Sequence, residues 1–322
     1  MSELTVYEPS AITTNGERAR RYAVRSKAAK TLKTYAAAWR EFEGYAGKCG
    51  QPALPASEET VVSYLVDLAE SGQKAGTIAV KLAAIAWRHR LAKATDPTVF
   101  ETVKTIMAGI RRKLGTAPAK KEPATLEEIR AMLATLDTDT LKGKRDKALL
   151  LVGFAGAFRR SELVALDVAD LRFNDKLTIM VRQSKTDQEG KGLVKTIPEI
   201  GDTALCPVVA LRDWLDTAGI ASGAVFRHID RHGNLLDRLT SQSVALVVKG
   251  AARAAGLDWR AFAGHSLRSG FITEALNAGG SDSDIIEQTG QSKETMLKYR
   301  KSTGVGASRV VKLVFGEGSN GR

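Results

Sequence analysis

His265 and Arg268 stand three residues apart, a spacing that puts both side chains on one face of a helix. Tyr299 follows, between Lys298 and Arg300, in the most cationic run of the last third of the chain. An imidazole, a guanidinium and a phenol are the groups that metal-free attack on a phosphodiester needs. The guanidinium grips phosphate oxygens in a planar fork. The imidazole takes or gives a proton near neutral pH. Tyrosine is a covalent nucleophile once activated, its free pKa being about 10. None of the three is diagnostic alone, because an HxxR pair arises often by chance and most tyrosines beside lysines are surface residues.

A second piece lies upstream in Ala155–Leu166, AGAFRRSELVAL, where two arginines interrupt an apolar helical run and Glu162 follows. A buried arginine is costly unless it is paired or serves a ligand. Taken together, Arg159-x-Ser161-Glu162-Leu163, Ser184-Lys185-Thr186, Gly264-His265-Ser266-x-Arg268 and Lys298-Tyr299 resemble the tyrosine site-specific recombinases, the family of phage integrases, Xer proteins and Cre. Order and spacing match, and the resemblance covers nearly the whole chain.

The resemblance implies a role for each residue. Arg159 and Arg268 would hold the non-bridging oxygens of the scissile phosphate and neutralise the charge that grows in the transition state. Arg160 is a rival for the first role, and the R-x-S-E register favours Arg159. Glu162 would orient the arginine helix from behind. Lys185 would protonate the departing 5′ oxygen, with Lys191 in the same loop as the alternative. His265 would assist proton removal from Tyr299, which would attack phosphorus and leave a 3′-phosphotyrosyl link with a free 5′ hydroxyl. That hydroxyl can reverse the reaction on a partner strand, so the resemblance implies neither ATP nor a metal and no other cofactor.

One position departs from the family pattern. Most members carry His or Trp after a glycine; here Gly290 is followed by Gln291, eight residues before Tyr299, one fewer than usual. A glutamine amide can donate to a phosphate oxygen but cannot act as an acid. The expectation is a position that works only by donation, or a locally shifted backbone.

The elements that must hold these residues read as two domains, as 322 residues suggest. The net charge of +12 and a pI near 9.7 suit a nucleic-acid partner. Two cysteines, Cys49 and Cys206, make no disulfide framework, there is no apolar run of membrane-spanning length, and residues 1–10 are not a signal peptide. The expectation is a cytoplasmic, nucleoid-associated protein with no membrane partner. Residues 1–16 read as a loose arm. Seven basic residues then follow against the single acid Glu17: Arg18, Arg20, Arg21, Arg25, Lys27, Lys30 and Lys33. They form either a solvated helix face or a stripe that grips the DNA backbone. Leu32, Tyr35, Trp39, Phe42 and Tyr45 recur at helical spacing and read as core. A second helix starts at the N-cap Ser57, a third spans about 77–92, and a fourth opens at Asp96-Pro97 and runs to Leu114. Residues 17–114 thus read as a small all-helical domain, which the resemblance implies is a SAM-like, DNA-binding core-binding domain. Lys81, Arg88, Arg111 and Arg112 are taken as further DNA contacts.

Residues 115–124, GTAPAKKEPA, read as a linker. Before residue 123 lie 20 Lys and Arg against 12 acids, net +8; from there on, 28 against 24, net +4. The smaller domain is the more basic, in keeping with the two-domain clamp around DNA that the resemblance implies. Residues 125–322 read as the catalytic domain, giving a mainly α fold with a small β-sheet in its C-terminal part. Thr125 to Glu128 is a capping box, 144–158 a long buried helix, and 177–183 with 193–197 a hairpin whose polar tip carries Lys185. His228-Ile-Asp-Arg-His232 has the i, i+4 spacing of metal ligands, but Gly233-Asn234 adjoins it and no third ligand is evident; no metal site is expected. Lys249 and Arg253, on the polar side of a helix over 241–255, could lie along a groove of DNA. Residues 307–315, ASRVVKLVF, are too apolar for a free tail. They either cap their own domain or, as the resemblance implies, dock on a neighbouring subunit to close a ring.

The implied activity is cleavage and rejoining of duplex DNA with strand exchange between two short inverted-repeat sites by a tetramer, with or without accessory proteins. Two rivals stand beside it: a type IB topoisomerase or telomere resolvase, which shares the constellation, and a DNA-binding relative weakened in catalysis, which Gln291 suggests.

Overall fold

A computed structural model describes residues 28–116, 121–182 and 192–303. The chain divides into two compact units, Met1–Ala119 and Lys120–Arg322. The arm over 1–16, the basic residues Arg18, Arg20, Arg21, Arg25 and Lys27, the hairpin tip with Lys185 and Lys191, and the segment over 307–315 lie outside the described residues.

The first unit is helical. Its helices are α1 (Ala29–Lys48), α2 (Glu58–Glu70), α3 (Ala75–Leu91) and α4 (Glu101–Leu114). The Ser57 hydroxyl caps α2 by accepting from the Thr60 amide at 3.1 Å. Asp96 and Pro97 open a one-turn 3-10 helix over Pro97–Val99 instead of α4 itself, which begins after Phe100. Of the stripe on α1, Trp39 and Phe42 are core, as the spacing predicts, while Leu32, Tyr35 and Tyr45 are half-buried. Phe42 is fully buried against Tyr64 and Trp39, and Val61, Leu65, Ile78, Ile85 and Val103 close around it.

The second unit is helical with two small antiparallel sheets. Its helices are α5 (Leu126–Ala134), α6 (Leu141–Ala155), α7 (Arg160–Ala165), α8 (Pro207–Thr217), α9 (Ser241–Ala254), α10 (Ser266–Asn277), α11 (Asp282–Thr289) and α12 (Lys293–Thr303). One sheet pairs β1 (Leu171–Phe173), β2 (Lys176–Val181) and β3 (Leu193–Pro198) in sequence order; the other is the hairpin β4 (Arg227–Ile229) and β5 (Leu235–Arg238). Thr125 and Glu128 form the expected capping box at the start of α5. The buried helix α6 begins and ends three residues earlier than its apolar run predicts, because Thr140 caps it and the chain turns at Gly156. Leu149, Leu150, Val152, Trp214 and Phe226 are among the fully buried side chains of this core.

Close backbone approaches fix the frame of the site. Gly270 on α10 faces the Ala124 carbonyl so closely that an added Cβ would lie 1.8 Å from that oxygen. The Ala124 amide donates to the Ser266 carbonyl at 2.9 Å, so the segment that enters α5 is stitched to the first turn of α10.

Candidate active site

Five of the side chains singled out in the sequence, Arg159, Glu162, His265, Arg268 and Tyr299, converge in the second unit. Arg159 is the N-cap of α7 and follows a turn in which the buried Ala157 has φ of 45°. L-residues adopt that left-handed conformation only at a cost. It aims the Ala157 carbonyl at α10, where it accepts from Arg268 Nη1 at 2.7 Å. Arg268 is 2 % exposed. Arg159 is tied to α7 twice: its amide donates to Glu162 Oε2 at 3.0 Å and its Nη1 to Oε1 at 2.5 Å. Glu162, 3 % exposed, thus caps the helix and neutralises the arginine with one carboxylate. Arg160 is exposed, with its aliphatic stem against Gly264.

His265 is the N-cap residue of α10, one turn before Arg268. Tyr299 comes from α12, whose placement depends on Met296. That side chain is 1 % exposed and packs among Ile272, Leu276 and Ile285, while Arg300 donates to Asp282 at the start of α11. This seating brings Tyr299 Oη to 3.0 Å from His265 Nε2. The short Gln291-to-Tyr299 spacing therefore still lands the phenol on the imidazole. Gln291 itself is buried, its Nε2 donating to Met296 Sδ at 3.1 Å, and its Oε1 has no partner among the described residues. The amide serves the seat of the tyrosine helix.

The electrostatics follow from crowding cations in a half-buried site. Burial, then Arg268, Arg159 and Arg160, hold the His265 pKa below the ordinary histidine value. Burial raises the Tyr299 pKa, against the opposing pull of Arg268 and Arg159. Arg268 is brought down to about 10, by burial first and then by Arg159, with Glu162 and Tyr299 opposing. A neutral imidazole beside a protonated phenol can accept its proton, and two guanidiniums close by can hold an anion.

The site also holds a residue that the motifs missed. Lys195 on β3 is fully buried, its Nζ donating to the Gln288 carbonyl and lying 5.2 Å from the centre of the Phe158 ring. Its pKa is pushed down to about 7 by burial first and then by Arg268 and Arg159, with Glu162 opposing. The alternation Leu193, Lys195, Ile197 was the available signal, since it puts the lysine on the inward face of the strand.

Among the residues taken as DNA contacts, Lys30, Lys33, Arg111, Arg112 and Arg253 are exposed. Lys81 requires a correction. It is 8 % exposed, and its ammonium is bound to Glu41 across α1 and α3, so its charge is used inside the bundle. Arg88 stacks over Trp39 at 5.6 Å and Lys249 over Trp259 at 5.4 Å, so part of each side chain packs against its own unit. His228 and His232 belong to the β4–β5 hairpin and not to a helix; Asp230 between them accepts from the amides of His232 and Asn234 as a turn. Among the described residues no helix is long and apolar enough to cross a membrane.

The profile of the Phage integrase family matches residues 124–303, more than half of the chain and all of the site just described. The integrase/recombinase xerD homolog of Selenomonas ruminantium is 41% identical over 285 residues, covering 87% of this chain and 83% of its own length. The chain belongs to the phage integrase family, that is, to the tyrosine recombinases. Solved structures agree in fold. The XerH site-specific recombinase bound to a palindromic difH substrate superposes with a TM-score of 0.66 at 17% identity, covering 94% of this chain and 85% of its own. A lambda integrase tetramer bound to a Holliday junction gives 0.60 at 17% identity, covering 88% and 75%.

Proposed function

We propose that this recombinase cuts and rejoins duplex DNA at short inverted-repeat sites, through a 3′-phosphotyrosyl intermediate on Tyr299, and exchanges strands between two paired sites as a tetramer. The contact between Tyr299 Oη and His265 Nε2 beside Arg268 and Arg159 carries this reading. Neutral His265 takes the phenolic proton as Oη attacks phosphorus. Arg159 and Arg268 hold the non-bridging oxygens, with Glu162 fixing the first of them. The P–O5′ bond breaks, and the leaving oxygen keeps the electron pair and takes a proton from Lys185. A 5′ hydroxyl of the partner duplex then attacks the phosphotyrosine and returns the phenol. Relatives bound to a palindromic substrate and, as a tetramer, to a Holliday junction support two-site exchange over relaxation at one site.

The same reading gives the first unit the task of gripping phosphates through Lys30, Lys33, Arg111 and Arg112, with the basic residues between Arg18 and Lys27 extending that grip. Residues 307–315 dock on a neighbouring subunit, and the protein works in the cytoplasm. The experiment is a nicked duplex built on the inverted repeat that the protein selects from a random-sequence duplex pool. Loss of the short fragment past the nick traps the covalent adduct, seen on a denaturing gel. Tyr299→Phe should bind this duplex as well as wild type and trap nothing; an adduct formed by that variant would exclude Tyr299 as the nucleophile.

A further inference from the structure

A fully buried lysine is an expensive way to fill a strand position, because an apolar side chain of similar volume packs there without losing hydration. Lys195 nevertheless occupies such a position, and its neighbours show what it joins. Its Nζ donates to the Gln288 carbonyl in the last turn of α11. The Gln288 side chain answers in the other direction, its Nε2 donating to the Thr196 carbonyl at 3.2 Å and to the Ala155 carbonyl at 2.9 Å. Two residues before Lys195, Leu193 packs on Gly290 so tightly that a Cβ there would lie 2.5 Å from Leu193 Cδ2. Gly290, with φ of 63°, terminates α11 in the left-handed region that glycine tolerates. Three successive contacts therefore rivet β3 to the end of α11.

The place of this joint gives it meaning. Val181 and Leu193 are the last register pair of β2 and β3, so β3 is the strand that returns from the hairpin tip. On the other side, the end of α11 passes through Gly290, Gln291 and Ser292 into α12 and Tyr299. We propose that Lys195 is a positioning residue that fastens the hairpin strand to the base of the tyrosine helix, keeping the leaving-group side of the site in register with the nucleophile. Its Nζ is turned onto a carbonyl and the face of Phe158, away from solvent, so it does not itself protonate the leaving oxygen. The proposal rests on the reading of Lys185 as proton donor.

A change of one atom in the substrate isolates the step. A 5′ alkoxide, about as basic as hydroxide (water pKa about 15.7), needs a proton to leave. A thiolate, whose thiol has a pKa of about 8.5, leaves without one. The probe is the same nicked duplex, made with oxygen or sulfur as the bridging 5′ atom at the cleaved phosphate. On the oxygen substrate Lys195→Met should form adduct on the order of 10-fold or more slowly than wild type, with unchanged duplex affinity. On the sulfur substrate it should match wild type. Lys195→Arg, which keeps a donor for the Gln288 carbonyl, should recover most of the oxygen rate. Wild-type rates for Lys195→Met on oxygen, or an equal deficit on both substrates, overturn the proposal. Lys185→Ala runs beside it: a deficit on both substrates removes the premise that Lys185 is the proton donor, and the proposal with it. Rescue of Lys185→Ala but not of Lys195→Met overturns the positioning role alone. Should Lys195→Met not fold, Gln288→Leu cuts the other strut of the joint. It should likewise be slow on oxygen and match wild type on sulfur, and the same departures from that pattern overturn the proposal.

Discussion

The phenol oxygen of Tyr299 and the Nε2 of His265 lie 3.0 Å apart although 34 residues separate them in the chain. The histidine is carried by the start of one helix and the tyrosine by another whose seat is Met296, so the distance is set by packing and not by local sequence. In the proposed reaction it makes the protonation state of the imidazole the first condition for attack.

His265 therefore predicts a pH profile. Its pKa is depressed, so the neutral, proton-accepting form persists below the ordinary histidine value of about 6.5 and is lost only as the pH falls further. Rates of adduct formation at duplex concentrations below Kd report the free protein. Their acid limb should have its midpoint below about 6.5. Removing a nearby cation with Arg160→Ala should move that midpoint upward. An acid limb at or above the ordinary value, or one that Arg160→Ala leaves in place, would contradict the assignment.

Glu162 predicts separable effects of charge and shape. Its carboxylate pairs with Arg159 and caps α7, and it is buried, whereas the Arg159 side chain retains 19% of its exposure. Breaking a fully buried pair costs about 3–5 kcal/mol; partial solvation of the arginine brings the expectation for Glu162→Ala to about 2 kcal/mol. Glu162→Gln keeps an acceptor for the cap and should cost about half as much. Urea denaturation of both variants measures this, and near-equal losses would mean the charge matters and the cap does not.

Much of this arrangement was legible in the chain, and two of the exceptions share a cause. Helix starts were readable where a side chain does the capping, as at Ser57 and Thr125. Arg159, His265 and Arg268 were readable because short motifs place each on its helix. Lys195 was overlooked and Lys81 misplaced because a lysine reads as a surface residue. In both cases periodicity held the contrary signal: Lys195 shares a strand face with Ile197, and Lys81 shares a helix face with Ile78 and Ile85. The inward turn of Gln291 was not readable, since it depends on where Met296 packs.

Lys81 gives the next prediction. Each phosphate contact that is lost lowers the slope of log affinity against log salt by about 0.9. Lys30→Ala and Lys33→Ala, at exposed positions, should each flatten the slope by about that amount. Lys81→Met should leave it unchanged, because its partner is Glu41. Fluorescence anisotropy over a salt series decides, and a flattened slope for Lys81→Met would return that residue to the DNA face.

Gly270→Ala tests the close approach behind the site. By helix propensity alone, alanine in α10 should be better than glycine by up to about 1 kcal/mol. The added Cβ would instead fall 1.8 Å from the Ala124 carbonyl oxygen, a backbone atom that has no rotamer to escape into. Overpacking of this kind costs about 1–3 kcal/mol, and the displacement would fall on the first turn of the helix that carries His265 and Arg268. A lowered urea midpoint with a reduced adduct rate is expected. A variant as stable as wild type would mean that the 124 segment shifts freely.

Lys195 also leaves a mark on stability that is independent of catalysis. Burial, with Arg268 next, holds its folded pKa at about 7, whereas an unfolded lysine titrates near 10.4. Below about pH 7 the ammonium is charged in both states, and the whole cost of burying it is felt. Between the two values the unfolded chain binds one more proton than the folded one, so stability rises with pH, by up to about 1.4 kcal/mol per unit. Lys195→Met has no such proton and should lose this slope. Urea unfolding of both proteins at about pH 7 and pH 9 should therefore show wild type gaining on the order of 2 kcal/mol relative to the variant. Parallel behaviour of the two would mean that the lysine stays charged in the folded protein throughout, with the Gln288 carbonyl and Glu162 compensating its burial in full.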